Sequence, residues 1–132
     1  MNSITNIEIV QTMYGAFKEG DLNRALSMVD PQVEWIERFP YEGTFIGRDA
    51  LRTVFETVIS EFDRYDMEFH HFLESDNLVV VLGRYRVHKI GAPRDVESSF
   101  VHAFWLRDGS VTRYEQWLDT ALARDVIGHL TL

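Results

Sequence analysis

The chain has 132 residues, enough for one domain with a real core and too few for two. With 45% hydrophobic, 13% aromatic and 26% charged residues it is neither disordered nor fibrous. Without cysteine it has no disulfide scaffold, thiolate metal site or cysteine nucleophile, and a formal charge of −8 argues against nucleic acid and anionic membrane as partners. Met1 to Val10 lacks a basic segment followed by an apolar stretch, so no secretory leader is expected. The longest aliphatic run, Leu78 to Leu82, is far short of the roughly 20 residues that span a bilayer. The expectation is a cytoplasmic protein.

Thr5 and Glu8 form a capping-box pattern, and behind it Ile7, Val10, Tyr14 and Phe17 recur at helical spacing. Gly20 stops that helix, and Asp21 caps a short second one carrying Leu22, Ala25, Leu26 and Val29, ended by Asp30-Pro31. Val33 to Ile36 reads as a strand and Phe39 to Gly47 as a loop. The third helix has the clearest signal: Leu51, Val54, Phe55, Val58, Ile59 and Phe62 make one apolar stripe.

From Tyr65 onward the period changes to two. Tyr65, Met67, Phe69, His71 and Leu73 alternate with polar neighbours, a Ser75-Asp76-Asn77 turn leads into Leu78 to His88, and Gly91-Ala92-Pro93 breaks the next connection. Strands Val96 to Arg107 and Val111 to Asp119 follow, joined at Asp108-Gly109. The tail places Leu122, Val126, Ile127 and Leu130 at the spacing of a last helical turn or two.

Helices first and an antiparallel meander afterwards define an α+β protein with helices on one face of a curved sheet. Strand Val96–Leu106 is apolar in both alternating rows, with Phe100, Phe104 and Leu106 in one and Val101, Ala103 and Trp105 in the other. Such a strand must be covered on both faces. The helices cover one; a second subunit is expected to cover the other.

The order of elements resembles the nuclear transport factor two-like superfamily, and within it the SnoaL-like polyketide cyclases and the ketosteroid isomerases. The residues that carry the likeness are Tyr14 to Leu22, Val33-Glu34-Trp35, Tyr41 to Leu51 and Leu106 to Val111. The resemblance implies one SnoaL-like domain over residues 1–132. Its fold would be a cone-shaped curved antiparallel sheet with three N-terminal helices enclosing an apolar pocket, often as a homodimer. It leaves the reaction open, since the superfamily includes isomerases, cyclases, epoxide hydrolases and non-catalytic binders.

The last hairpin sorts pocket from exterior. A type I turn with Gly109 as a left-handed bulge pairs Leu106 with Ser110, His102 with Tyr114 and Phe100 with Gln116. These residues then share one side with Phe104 and Leu118, while Val101, Ala103, Trp105, Arg113, Glu115 and Trp117 share the other. A two-residue turn would set His102 opposite Glu115; the resemblance favours the first register.

Ketosteroid isomerases use a carboxylate base with a tyrosine and a protonated aspartate as oxyanion donors. The resemblance sets His102 at that aspartate, Trp35 at the base and Tyr14 near the tyrosine, its spacing to Gly20-Asp21 one residue short. In the SnoaL-like cyclases the base is an aspartate on the last strand. Gln116 stands there, and His102 matches the histidine of that site. Both carboxylate bases are missing, and the arginine–aspartate pair of the epoxide hydrolases is not evident.

His102 and Tyr14 are therefore the candidate catalytic residues, since an imidazole in an apolar pocket can titrate near neutrality or donate to a carbonyl. Trp35, Tyr41, Phe55, Phe100, Tyr114, Gln116 and Leu118 are the candidate substrate-binding residues. Glu37 and Asp119 are expected to be solvated at the mouth. His70 and His71 are adjacent on a strand and cannot share one ion. No metal, cofactor or nucleotide fingerprint is found. The function expected is proton transfer (isomerisation, cyclisation or dehydration) on an apolar carbonyl compound. The rival is a non-catalytic ligand-binding or dimeric interaction module.

Overall fold

A computed structural model describes residues 4–132, so Met1–Ser3 of the leader reading lie outside it. Helix α1 (Asn6–Glu19) opens with the expected capping box, the Thr5 hydroxyl accepting from the Glu8 N–H at 3.1 Å, and closes at Gly20 with φ +76°. Asp21 caps α2 (Leu22–Ser27) by accepting from the Arg24 N–H at 3.2 Å. This helix ends two residues before the expected Val29. Val29 already belongs to strand β1 (Val29–Glu37), and Asp30-Pro31 fall where its register slips between Val29 and Glu34. A proline is tolerated there because no ladder bond needs its N–H.

Strand β2 (Gly43–Ile46) lies inside the segment read as a loop; it is an edge strand with no buried residue, so it carries no alternation to signal it. Helix α3 (Arg48–Glu61) buries Leu51, Val54, Phe55 and Val58 as the stripe predicts, but leaves Ile59 47% exposed. Phe62 is extended and starts the next strand.

The meander β3 (Phe62–Ser75), β4 (Leu78–Lys89), β5 (Val96–Arg107) and β6 (Ser110–Leu118) follows, and α4 (Thr120–Ile127) closes the chain. The sheet has six strands in the order β2-β1-β6-β5-β4-β3, with β2 and β3 as its two edges. It is not wholly antiparallel: β1 runs parallel to β6. Among the described residues four helices stand where three N-terminal ones were expected, the fourth being the C-terminal turns. No helix among the described residues is long and apolar enough to cross a membrane.

Two bulges set which side chains face inward. In β3 the register shifts between Phe69 and His71, so Tyr65, Met67, Phe69 and then Phe72 point toward the helices, and His71 and Leu73 are exposed rather than continuing the row. In the last hairpin Asp108 and Gly109 both have positive φ, and Arg107 pairs with Ser110 across a two-residue turn. A bulge between Trp105 and Leu106 then adds one residue to β6, so His102 pairs with Gln116, Phe104 with Tyr114 and Phe100 with Leu118. Both expected pairings are therefore wrong by register. The sorting of faces survives, because turn and bulge together differ from the favoured register by two residues, one full strand period.

The outer row is partly covered by the chain itself. The Arg113 guanidinium lies 4.9 Å from the Trp105 ring centre and that of Arg38 5.3 Å from Trp117, while Arg38 also bonds Glu115 at 2.7 Å. Part of the cover expected from a second subunit is thus supplied by arginines, although Trp117 remains 42% exposed.

Gly83 holds the inner layer together. A Cβ there would collide with the Glu68 carbonyl and the ring of Phe100, which lies flat against β4. Gly83→Ala should therefore cost about 1–3 kcal/mol through overpacking, read as a lower urea midpoint with an unchanged slope. An unaltered midpoint would show that Phe100 does not lie on Gly83.

Candidate functional site

The inner faces of β1, β3, β4, β5 and β6 meet α1 and α3 around a cavity of about 60 Å³. Its walls are apolar, from Trp35, Val54, Phe55, Val58 and Phe104 among others. Into this space project a carboxyl group, an imidazole, a carboxamide and four phenols.

The polar set is ordered from Gln116. The Gln116 side-chain oxygen accepts the backbone N–H groups of Arg38, at 2.8 Å, and of Phe39. A carboxamide whose oxygen is taken must present its NH₂ on the other side. Gln116 Nε2 accordingly donates to the Tyr114 hydroxyl at 2.7 Å and toward that of Tyr85 at 3.4 Å.

The Tyr85 hydroxyl bonds Nε2 of His102. Nδ1 bonds the Tyr14 hydroxyl at 2.5 Å, so the neutral ring donates to one of these two tyrosines and accepts from the other. In the tautomer with its hydrogen on Nδ1, the Tyr14 oxygen accepts from the ring and its own proton is free for an occupant of the cavity.

Burial holds His102 neutral, pushing it down to about 3 with no anion to compensate. It does not titrate near neutrality as expected. The same desolvation drives Tyr14, Tyr65, Tyr85 and Tyr114 well above the ordinary phenol range. All four are donors rather than phenolates.

Glu37 is the group that the sequence reading undervalued. It is 7% exposed, not solvated. One carboxyl oxygen accepts the Trp35 indole N–H at 3.0 Å. The other is, among the described residues, the only buried side-chain polar atom without a partner, and the residue lines the cavity. Burial raises its pKa to about 8, against the smaller opposing effect of the Trp35 bond. The signal was legible in principle: Val33, Trp35 and Glu37 occupy one alternating row, which stays buried to the end of β1.

Six of the expected site residues line this cavity: Tyr14, Trp35, Phe55, His102, Tyr114 and Gln116. Three do not. Tyr41 is buried outside it, donating to a Glu61 carboxylate oxygen at 2.5 Å and pairing with Leu130. Phe100 stacks behind His102 at 4.1 Å, and Leu118 lies beside Phe100 at the end of β6. Tyr85, absent from the expectation, is central, and the row Val79, Val81, Tyr85, Val87 would have placed it inward. Asp119 caps α4, accepting from the Leu122 N–H at 3.0 Å. Among the described residues no three histidine or acidic side chains gather as metal ligands do.

The family profile of the SnoaL-like domain matches residues 10–114. The chain belongs to the SnoaL-like family. Among solved structures it is similar to an NTF2-like protein of unknown function from Burkholderia pseudomallei, at 27% identity and TM-score 0.83, over 94% of this chain and 98% of that one. It is also similar to TerC, co-crystallised with polyporic acid, at 27% identity and TM-score 0.80, over 92% and 97% of the two chains. A protein with a ketosteroid isomerase-like fold from Catenulispora acidiphila shares the fold at TM-score 0.81 and 14% identity, over 95% of each chain. No match was found among curated proteins.

Within the SnoaL-like frame the cavity holds its carboxyl group two residues beyond Trp35, so the site has an acid although both expected positions lack one. Its buried proton has a thermodynamic signature. The fold keeps the Glu37 proton up to about 8 while the unfolded chain loses it near 4.5, so stability falls as pH rises between those values. The fold refuses the His102 proton down to about 3 while the unfolded chain takes it near 6.5, so stability falls as pH drops across that range.

Each slope is about 1.4 kcal/mol per pH unit, and they cancel where they overlap. Urea unfolding should show a plateau from pH ~4.5 to ~6.5 with losses on either side, the edges set by the two groups' unfolded values. In Glu37→Gln the alkaline loss disappears and stability instead climbs through that window and levels off. A profile unaltered by Glu37→Gln would contradict a buried Glu37 proton.

Proposed function

We propose that the chain is a small-molecule enzyme that binds an apolar carbonyl compound in the inner cavity and moves a proton at the carbon next to the carbonyl. The observation that carries this reading is the unpartnered Glu37 carboxyl oxygen, facing a cavity that also presents the Tyr14 hydroxyl. Desolvation makes the Glu37 carboxylate a stronger base than one in water.

In the step proposed, ionised Glu37 takes the α-proton, and the C–H electron pair becomes that of an enolate. The enolate oxygen accepts the Tyr14 O–H, and Glu37 returns the proton to carbon. His102 is a positioning residue: it holds the Tyr14 oxygen so that the phenolic proton points away from the protein. Trp35 and Phe55 provide the apolar wall that excludes water and strengthens both interactions. TerC, a relative at 27% identity, was crystallised with polyporic acid, which supports a small-molecule ligand and makes polyporic acid the first compound for a thermal-shift screen.

The reading is tested by exchange of the α-protons of phenylacetone for deuterium in D₂O, followed by NMR. Wild type should accelerate exchange, with kcat/KM rising with pH and levelling near the pKa of Glu37. Glu37→Gln should lower it by roughly 10²–10⁴-fold, as for loss of a general base. His102→Ala should lower it less and without moving the pH profile. Ligand binding with no exchange, or exchange indifferent to Glu37→Gln, would favour a non-catalytic binding module instead.

A further inference from the structure

The inner cavity is small, yet it abuts a groove of about 400 Å³ between α1 and the edge strand β3. The two spaces share four wall residues: Tyr14, Phe17, Tyr65 and Met67. Tyr14 belongs to both by virtue of its shape. Its hydroxyl reaches His102, while its ring packs against Phe69 at 4.4 Å and Phe72 at 6.3 Å on the groove side. The groove floor is therefore aromatic, and Phe69 and Phe72 are only half buried because α1 leaves part of β3 uncovered.

Gly15 adds a separate observation. It sits mid-helix in α1, where glycine costs about 0.5–1 kcal/mol relative to alanine. No close approach of another element accounts for it, because a Cβ at Gly15 would meet nothing within 4 Å. What Gly15 does is line the groove, where any larger side chain would take up its space.

We infer that the α1–β3 groove is a second ring-binding subsite, taking an aryl arm of a ligand whose carbonyl head lies in the inner cavity. This rests on the proposed carbonyl site and adds the substrate class: a carbonyl compound of at least two rings, joined or fused, rather than a single-ring one. A head held by the Tyr14 hydroxyl directs its arm along the Tyr14 ring toward Phe69 and Phe72. Met67, the one flexible unbranched side chain on the shared wall, is the residue that must swing aside. Apolar contact with Phe69, Phe72 and Tyr14 supplies the recognition, and Gly15 supplies the room.

The test compares dissociation constants of phenylacetone and its 4-phenyl homologue, which differ by one ring, on wild type, Gly15→Ala and Gly15→Leu. Wild type should bind the two-ring ketone at least tenfold tighter, and Gly15→Leu should erase that preference. Gly15→Ala should melt higher than wild type and keep most of the preference, so a change in Gly15→Leu cannot be put down to helix damage. If phenylacetone binds but the added ring gains nothing, or its gain persists in Gly15→Leu, the groove assignment is wrong and the carbonyl site stands. If neither ketone binds wild type, the carbonyl reading itself falls and the groove assignment with it.

Discussion

A carboxyl group shut inside an apolar cavity with one oxygen unbonded is the constraint on which the rest of this site depends. Leaving a buried polar atom unpaired costs about 1–3 kcal/mol, and ionising it there costs more. The fold meets the second cost by keeping Glu37 protonated to about 8, and bears the first. Gln116, Tyr114, Tyr85, His102 and Tyr14 in contrast are joined to one another by hydrogen bonds. The contrast separates a satisfied, rigid polar chain from one group held in reserve.

The direction of that chain follows from two backbone N–H groups. Because Arg38 and Phe39 occupy the Gln116 oxygen, the carboxamide cannot turn over, and its NH₂ is aimed at Tyr114 and Tyr85. Gln116 thus works through its orientation and has no basicity to offer. His102, neutral and bonded at both nitrogens, links Tyr85 to Tyr14. The corner Arg38–Phe39 immediately follows Glu37, so the short turn after β1 fixes both halves of the site.

Much of this was legible in the amino-acid sequence where period and capping chemistry agree. Thr5/Glu8, Gly20 and the Leu51–Val58 stripe mark their helices, and the alternation of β5 and β6 brings His102, Tyr114 and Gln116 to one face. What was not legible turns on single-residue insertions. The bulge at His70 moves Phe72 inward in place of His71, and the bulge in β6 shifts its partners. Glu37 was misjudged for a different reason: a carboxylate at the end of a strand is usually solvated, and only its place in the inward row beside Trp35 makes this one buried. Family membership helps with the fold and is silent on this point, since the SnoaL-like frame hosts chemistry through residues grafted onto it.

The most direct measurement is the titration of the Glu37 carboxyl carbon by NMR in protein labelled with ¹³C-glutamate, its resonance assigned by loss in Glu37→Gln. The account expects a carboxyl that stays protonated through neutrality and titrates at about 8. A Glu37 resonance that titrates near 4.5 would contradict it.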